Sequence, residues 1–234
     1  MRKLITACMA LAAFVAFAVA PSVASATNDP DVTHPTGTLL AVSHAAPAAI
    51  TGTNVGETLM TDANTNVLTR CNKAVMTGDL ETNTGSGTVE ATITSATFAG
   101  TGSLASNGEL ECTGSFGNIT VTANPATNGL PWCLRSTSTM VTDEFQIRGN
   151  GCTSASRPIR FVLDSTTAGE CTYERTAPIS GTFTTHPASA NAAQLSIFEQ
   201  EFPRIAGGFL CPSKGFLDMT FSLETSNGSA IYIS

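Results

Sequence analysis

The chain has 234 residues, of which 12% are charged, about half the ~25% usual for globular proteins, and its formal net charge at pH 7 is −7. With 11 basic against 18 acidic side chains and no basic run, it offers no electrostatic footprint for nucleic acid or for an anionic membrane surface. A surface so poor in ions must be covered by Thr, Ser, Asn and Gly, as suits an exported chain made of many strands.

Residues 1–26 read as an export signal. Arg2 and Lys3 form a basic start, Leu4–Ala20 is an uncharged apolar run, and Ala24-Ser25-Ala26 is a small-residue cleavage site. The run is near the lower limit for a spanning helix, roughly 17 residues, so a removed signal is expected in place of a retained anchor. Cys8 leaves with it. The expected mature chain, 27–234, is a single secreted all-β domain of 208 residues, a length such folds often reach. Losing Arg2 and Lys3 leaves nine basic against eighteen acidic side chains, a net charge of −9, and no membrane span.

In chain order, Thr27–Thr36 reads as a loose lead-in and Gly37–Ser43 as a first short strand. Pro47 breaks the chain, Ile50–Met60 offers one or two strands, and Asp62–Asn66 is a turn. Leu68–Ala99 reads as two long strands. They are joined by a polar turn, Glu81–Gly87, whose glycines and Asn83 tolerate positive φ. After Gly100 the chain turns at Gly102 and at Asn107-Gly108, a hairpin signal, and Glu109–Thr113 and Asn118–Thr122 follow as strands. Period-two alternation then places Phe145 and Ile147 on one face, and likewise Ile159, Phe161 and Leu163. Thr172–Arg175 and Ile179–Thr184 read as shorter strands. Gln194–Phe198 starts a segment compatible with a strand or one helical turn. Phe216–Glu224 alternates most clearly, with Leu217, Met219, Phe221 and Leu223 inward, and Ala230–Ile233 closes the chain. No stretch after residue 26 keeps a 3.6-residue period for three turns. The expectation is an antiparallel β-sandwich, with a barrel as the alternative.

Six cysteines follow the signal: Cys71, Cys112, Cys133, Cys152, Cys171 and Cys211. An even number in an exported chain predicts three disulfides. Fifteen pairings are possible. The sequential one, Cys71–Cys112, Cys133–Cys152 and Cys171–Cys211, is the expectation. Zinc ligation needs close pairs such as C-x-x-C, which this spacing lacks, so no metal and no cofactor are expected.

Candidate chemistry is thin. Histidine occurs at His34, His44 and His186, with no G-x-S-x-G or comparable nucleophile setting to complete a triad. Three carboxylate pairs could serve a glycosidase: Glu109 with Glu111, Asp143 with Glu144, and Glu199 with Glu201. Adjacent strand residues face opposite ways, which disqualifies Asp143 with Glu144. Asn28-Asp29-Pro30-Asp31 and Asp62–Asn66 hold oxygen ligands for calcium but lack the EF-hand glycine and terminal Glu. Trp132, the single tryptophan, reads as a core residue beside Cys133, with a sugar platform as the alternative. Thr92-Ile93-Thr94 and Thr182-Phe183-Thr184 are not spaced as a regular ice-binding lattice. An outer-membrane barrel would carry aromatic girdles, which are missing.

Several stretches together resemble a group of uncharacterised exported bacterial proteins of actinobacterial type. They are the Ala-rich signal, Leu68–Leu80 (LTRCNKAVMTGDL), Thr92–Gly100 (TITSATFAG), Leu130-Pro131-Trp132, Cys171-Thr172-Tyr173 and Cys211–Leu223. The resemblance implies an exported β-rich protein and supplies no catalytic residues. The functional expectation is a non-enzymatic secreted or cell-envelope module, structural or binding, with an envelope or extracellular partner. A secreted hydrolase using paired carboxylates is the alternative.

Overall fold

The computed structural model describes residues 31–34, 38–43, 45–83, 85, 87–103, 110–122, 129–137, 144–152, 157–184 and 192–233. The export signal, Asn28-Asp29-Pro30, His44, Asn107-Gly108, Glu109, Asp143 and His186 lie outside these residues.

Sixteen strands are present and no helix among the described residues. In the first half they are β1 (Val32–Thr33), β2 (Ala48–Asn54), β3 (Thr58–Thr61), β4 (Val67–Cys71), β5 (Lys73–Asn83), β6 (Thr88–Ala99), β7 (Cys112–Gly114) and β8 (Gly117–Thr122). There follow β9 (Trp132–Thr137), β10 (Glu144–Gly149), β11 (Ile159–Ser165), β12 (Gly169–Arg175), β13 (Ile179–Thr184), β14 (Gln194–Ala206), β15 (Lys214–Thr225) and β16 (Tyr232–Ile233). The alternation read from the sequence is what the strands bury. Phe145 and Ile147 in β10, Ile159, Phe161 and Leu163 in β11, and Leu217, Met219 and Phe221 in β15 all enter the core.

All ladders are antiparallel, and fourteen strands form one hydrogen-bonded sheet that returns on itself. Two long strands decide its shape. β14 and β15 pair with each other along most of their length. On its outer edge β14 pairs with β13 near Ser196 and with β12 near Arg204. β15 likewise pairs with β2 near Leu223 and with β3 near Leu217. The closed ladder is thereby pinched at β14–β15 into two eight-strand circuits that share these strands. One runs β10-β13-β14-β15-β2-β5-β6-β9, the other β14-β12-β11-β8-β7-β4-β3-β15. The result is a pair of facing walls packed on a common interior, not an open fourteen-strand tube.

The circuits meet at a seam of aromatic rings. Phe161 lies at its centre, edge-on to Phe98 at 5.9 Å, Trp132 at 5.8 Å and Phe202 at 5.2 Å. Such edge-to-face pairs set the positive rim of one ring against the negative face of the next. Trp132 is 1% exposed, so it is a core residue and the sugar-platform reading is excluded.

Three disulfides close the structure, in the sequential pairing: Cys71–Cys112, Cys133–Cys152 and Cys171–Cys211. Cys71–Cys112 joins β4 to β7 in the second circuit. Cys133–Cys152 ties β9 to the turn after β10, and Cys171–Cys211 ties β12 to the β14–β15 connection.

Three local expectations are corrected, and a fourth segment that stood open between strand and helical turn is decided. The lead-in is not loose throughout, because Val32–Thr33 pairs with Tyr232–Ile233 at the other end of the chain. Gly37–Ser43 is not a strand; it makes only single bridges at Leu39, Val42 and Ser43. Leu68–Ala99 is not one hairpin, since the chain breaks at Asn72 and Val67–Cys71 pairs with β3 and β7 in the other circuit. Gln194–Phe198 is strand, not helical turn, and its ladder shifts register between Ile197 and Gln200, with Glu199 at φ 48°.

An apolar chamber as the candidate functional site

The interior of the first circuit is not filled. Eight strands enclose a space just wide enough for side chains or for one small guest, and here small residues leave room. Ala91 on β6 and Gly52 and Gly78 on β2 and β5 stand where larger side chains would close it. Gly78 is also obligatory for the backbone. A Cβ there would lie 2.2 Å from the Thr92 carbonyl oxygen, so β6 approaches β5 closely at the bulge after Thr77. Around the void stand Met76, Leu80, Ile93, Leu134, Phe183 and Leu195. The cavity measures about 40 Å³, and among the described residues no ionisable side chain lines it. One water needs about 10–15 Å³ of such space and two to four polar partners. The chamber has the room for about three, but Thr77 is the one polar side chain among the described lining residues, so the space suits apolar atoms better than water.

Two short strands remote in sequence, β1 and β16, cover this chamber. Val32 from β1, and Ile231 and Ile233 beside and within β16, contribute to its lining. The two-stranded cap is held to the circuit by a side chain. Asn83, at the end of β5 and 1% exposed, accepts from the Val32 N–H at 3.0 Å through Oδ1. Its Nδ2 donates to the Val32 carbonyl at 2.6 Å and to the Leu40 carbonyl at 2.8 Å. The amide thus stands in for the peptide group of an absent neighbouring strand. Backbone bonds complete the attachment, from Ala193 N–H to the Ile231 carbonyl at 2.7 Å and from Ile231 N–H to Leu223 at 3.2 Å. Sequence reading placed Asn83 in the turn, as a residue suited to positive φ. It is instead a buried clasp, and nothing in the local pattern N-T-G-S-G distinguishes the two roles. Replacing Asn83 with Leu leaves the buried Val32 N–H without its partner, while the Val32 carbonyl keeps the Leu40 N–H at 2.9 Å, so stability should fall by about 1–3 kcal/mol. Denaturant unfolding measures the loss, and hydrogen exchange should show the Val32 amide opening ahead of the global transition.

Among the described residues, the remaining candidates do not assemble. Glu111 accepts a hydrogen bond from the Thr120 hydroxyl at 3.1 Å, and Glu201 pairs with Lys214 at 2.9 Å. Glu199 and Glu201 do not share a face as an extended strand would require, because the left-handed Glu199 lies in the bulge. The backbone N–H of Glu199 donates to the Asp218 carboxylate at 2.7 Å. Glu144 lends its backbone carbonyl to the Ser136 hydroxyl at 2.6 Å. The Asp62–Asn66 segment is the turn expected. Asp62 Oδ1 accepts from the N–H groups of Asn64 and Asn66 at 2.8 and 2.9 Å, and Oδ2 from Asn66 Nδ2 at 2.8 Å. Those bonds, led by the Asn66 side chain, hold its carboxyl below the usual range and occupy the oxygens a calcium ion would need. His34 uses its backbone N–H on the Thr38 carbonyl. Among the described residues no three His, Cys, Asp or Glu side chains gather as metal ligands, and no helix is long and apolar enough to cross a membrane.

The second circuit holds a smaller void of about 10 Å³ lined by Leu68, Ile119, Leu163 and Tyr173 among others. Burial pushes the Tyr173 hydroxyl up to about 12, and it donates to the Pro212 carbonyl at 3.2 Å. The bond ties β12 to the connection that follows β14.

Fold and site define a class by geometry: a disulfide-bonded, all-β protein with a closed eight-strand circuit around a capped, largely apolar chamber. No protein-family model matches the chain, no curated protein sequence matches it, and no solved structure matches its fold.

Proposed function

We propose that the protein is an exported, non-catalytic binding module whose first circuit shelters a small uncharged apolar guest, or the end of a longer aliphatic one. The chamber carries this reading, because an apolar cavity inside a strand ladder gains most by admitting apolar atoms and rejects charge through desolvation. Export is part of the same proposal. Arg2, Lys3, the Leu4–Ala20 run and Ala24-Ser25-Ala26 support removal of residues 1–26, as does the resemblance to exported actinobacterial proteins. Three intramolecular disulfides fit an oxidising compartment.

Xenon, which enters dry apolar cavities, is the probe of choice. Xenon NMR on the purified protein should report one saturable environment distinct from bulk solvent. Ala91→Leu, which fills the chamber from β6, should abolish that signal while leaving the circular dichroism and the absence of free thiols unchanged. Equal, non-saturating shifts in wild type and variant would refute the chamber as a site. N-terminal sequencing of secreted material should begin at Thr27.

A further inference from the structure

At the opposite end of β14 and β15 from the chamber, the connection Gly207–Pro212 breaks the usual chemistry of a turn. The Cys211 N–H donates to the Gly208 carbonyl at 3.1 Å, closing a four-residue turn whose two corners are Phe209 and Leu210. Corners normally take Gly, Pro, Asn, Asp or Ser. Here Phe209 is 94% exposed, with Leu210 at 39% and Ile205 at 49% beside it. The display is not a slack loop. Cys211 is bridged to Cys171 on β12, and Gly207 sits at φ 127° where a Cβ would lie 2.6 Å from the Cys211 sulfur. Arg204 reaches under the turn. Its Nη1 donates to the Gly208 carbonyl at 2.8 Å and to the Cys211 carbonyl. The carbonyls flanking the two corners, those of Gly208 and Cys211, are therefore satisfied from within the protein.

We infer that this stapled tip is a lipid-contacting element that inserts Phe209 and Leu210 into the interface of a bilayer with uncharged or zwitterionic headgroups. Three observations favour lipid over a protein surface. Phe209, 94% exposed at a turn corner, offers about 200 Å², well short of the roughly 800 Å² per partner of a stable protein interface. Entry into an apolar phase is costly when backbone carbonyls lack donors, and Arg204 lowers that cost at Gly208 and Cys211 while its guanidinium stays behind the turn at headgroup depth. The net charge of −7 disfavours an anionic surface, so attraction must come from apolar burial.

The test uses phosphatidylcholine vesicles and chains identical except at residue 209. The wild-type protein should co-sediment with vesicles. Phe209→Ala should lower its partition coefficient about ten- to a hundredfold, the range carried by burying one Phe side chain. Phe209→Trp should show a blue-shifted emission on vesicle addition and quenching by brominated lipid, against a constant signal from Trp132, which is 1% exposed. Wild-type protein left in the supernatant would overturn the inference, and so would unchanged Phe209→Trp emission in a variant with native circular dichroism and no free thiols. A concentration-dependent dimer abolished by Phe209→Asp, without vesicle binding, would also overturn it and assign the tip to a second copy of the chain.

Discussion

Reduction of the three disulfides is expected to lower the melting temperature by roughly 20–40 °C, enough to leave the protein largely unfolded at physiological temperature. The bridges close loops with sequence separations of 41, 19 and 40, and none of these loops overlaps another. Each therefore restricts the unfolded chain independently. In the chain-entropy account the two longer loops contribute about 4 kcal/mol each and the shorter about 3. Together these rival the whole stability of an ordinary domain, about 5–15 kcal/mol. The ladder explains the need for them. It puts strands far apart in sequence side by side, as in the β1–β16 pair, and closing such contacts is costly in chain entropy. Thermal melts with and without reductant measure the shift, and an unchanged midpoint would show the bridges to be incidental. Thiol titration of the denatured, unreduced protein should find none of the six cysteines free. Removing Cys133 and Cys152 together should cost least.

Phe161→Ala should destabilise the protein by about 4–5 kcal/mol, near the top of the range for a buried aromatic. Phe161 is 2% exposed and meets three rings edge-on, from β6, β9 and β14. Truncation opens a cavity where the two circuits join, and rigid ladders on both sides keep it from collapsing. Phe198, 60% exposed on the bulge of β14, is the matched control, and its replacement by Ala should shift stability by no more than about 0.5 kcal/mol. Urea unfolding at constant slope separates the two. An equal response at both positions would mean that the seam does not organise the core.

These two expectations also mark what was readable before any tertiary information. Period-two alternation is local, so it announced β10, β11 and β15 and the inward faces that became the core. The even cysteine count and sequential spacing anticipated three bridges, and the absence of a helical period anticipated an all-β fold. Trp132 could be placed inside on size and apolarity alone.

What the chain order concealed was set by contacts between remote segments. Neither β14 nor β15 carries a mark showing that its two halves serve different circuits; only the competing edges of β13, β12, β2 and β3 decide that. The pairing of β1 with β16 spans nearly the whole chain, and its two short strands have too few residues for a periodic signal. Asn83 looks like a turn residue until Val32 and Leu40 arrive from afar to use its amide. The chamber, finally, is a property of volumes: Gly52, Gly78 and Ala91 mean little singly, and become a cavity only when three strands bring them to one enclosed space. Local pattern determines which way a side chain points, whereas the free energy of ring closure determines what it meets there.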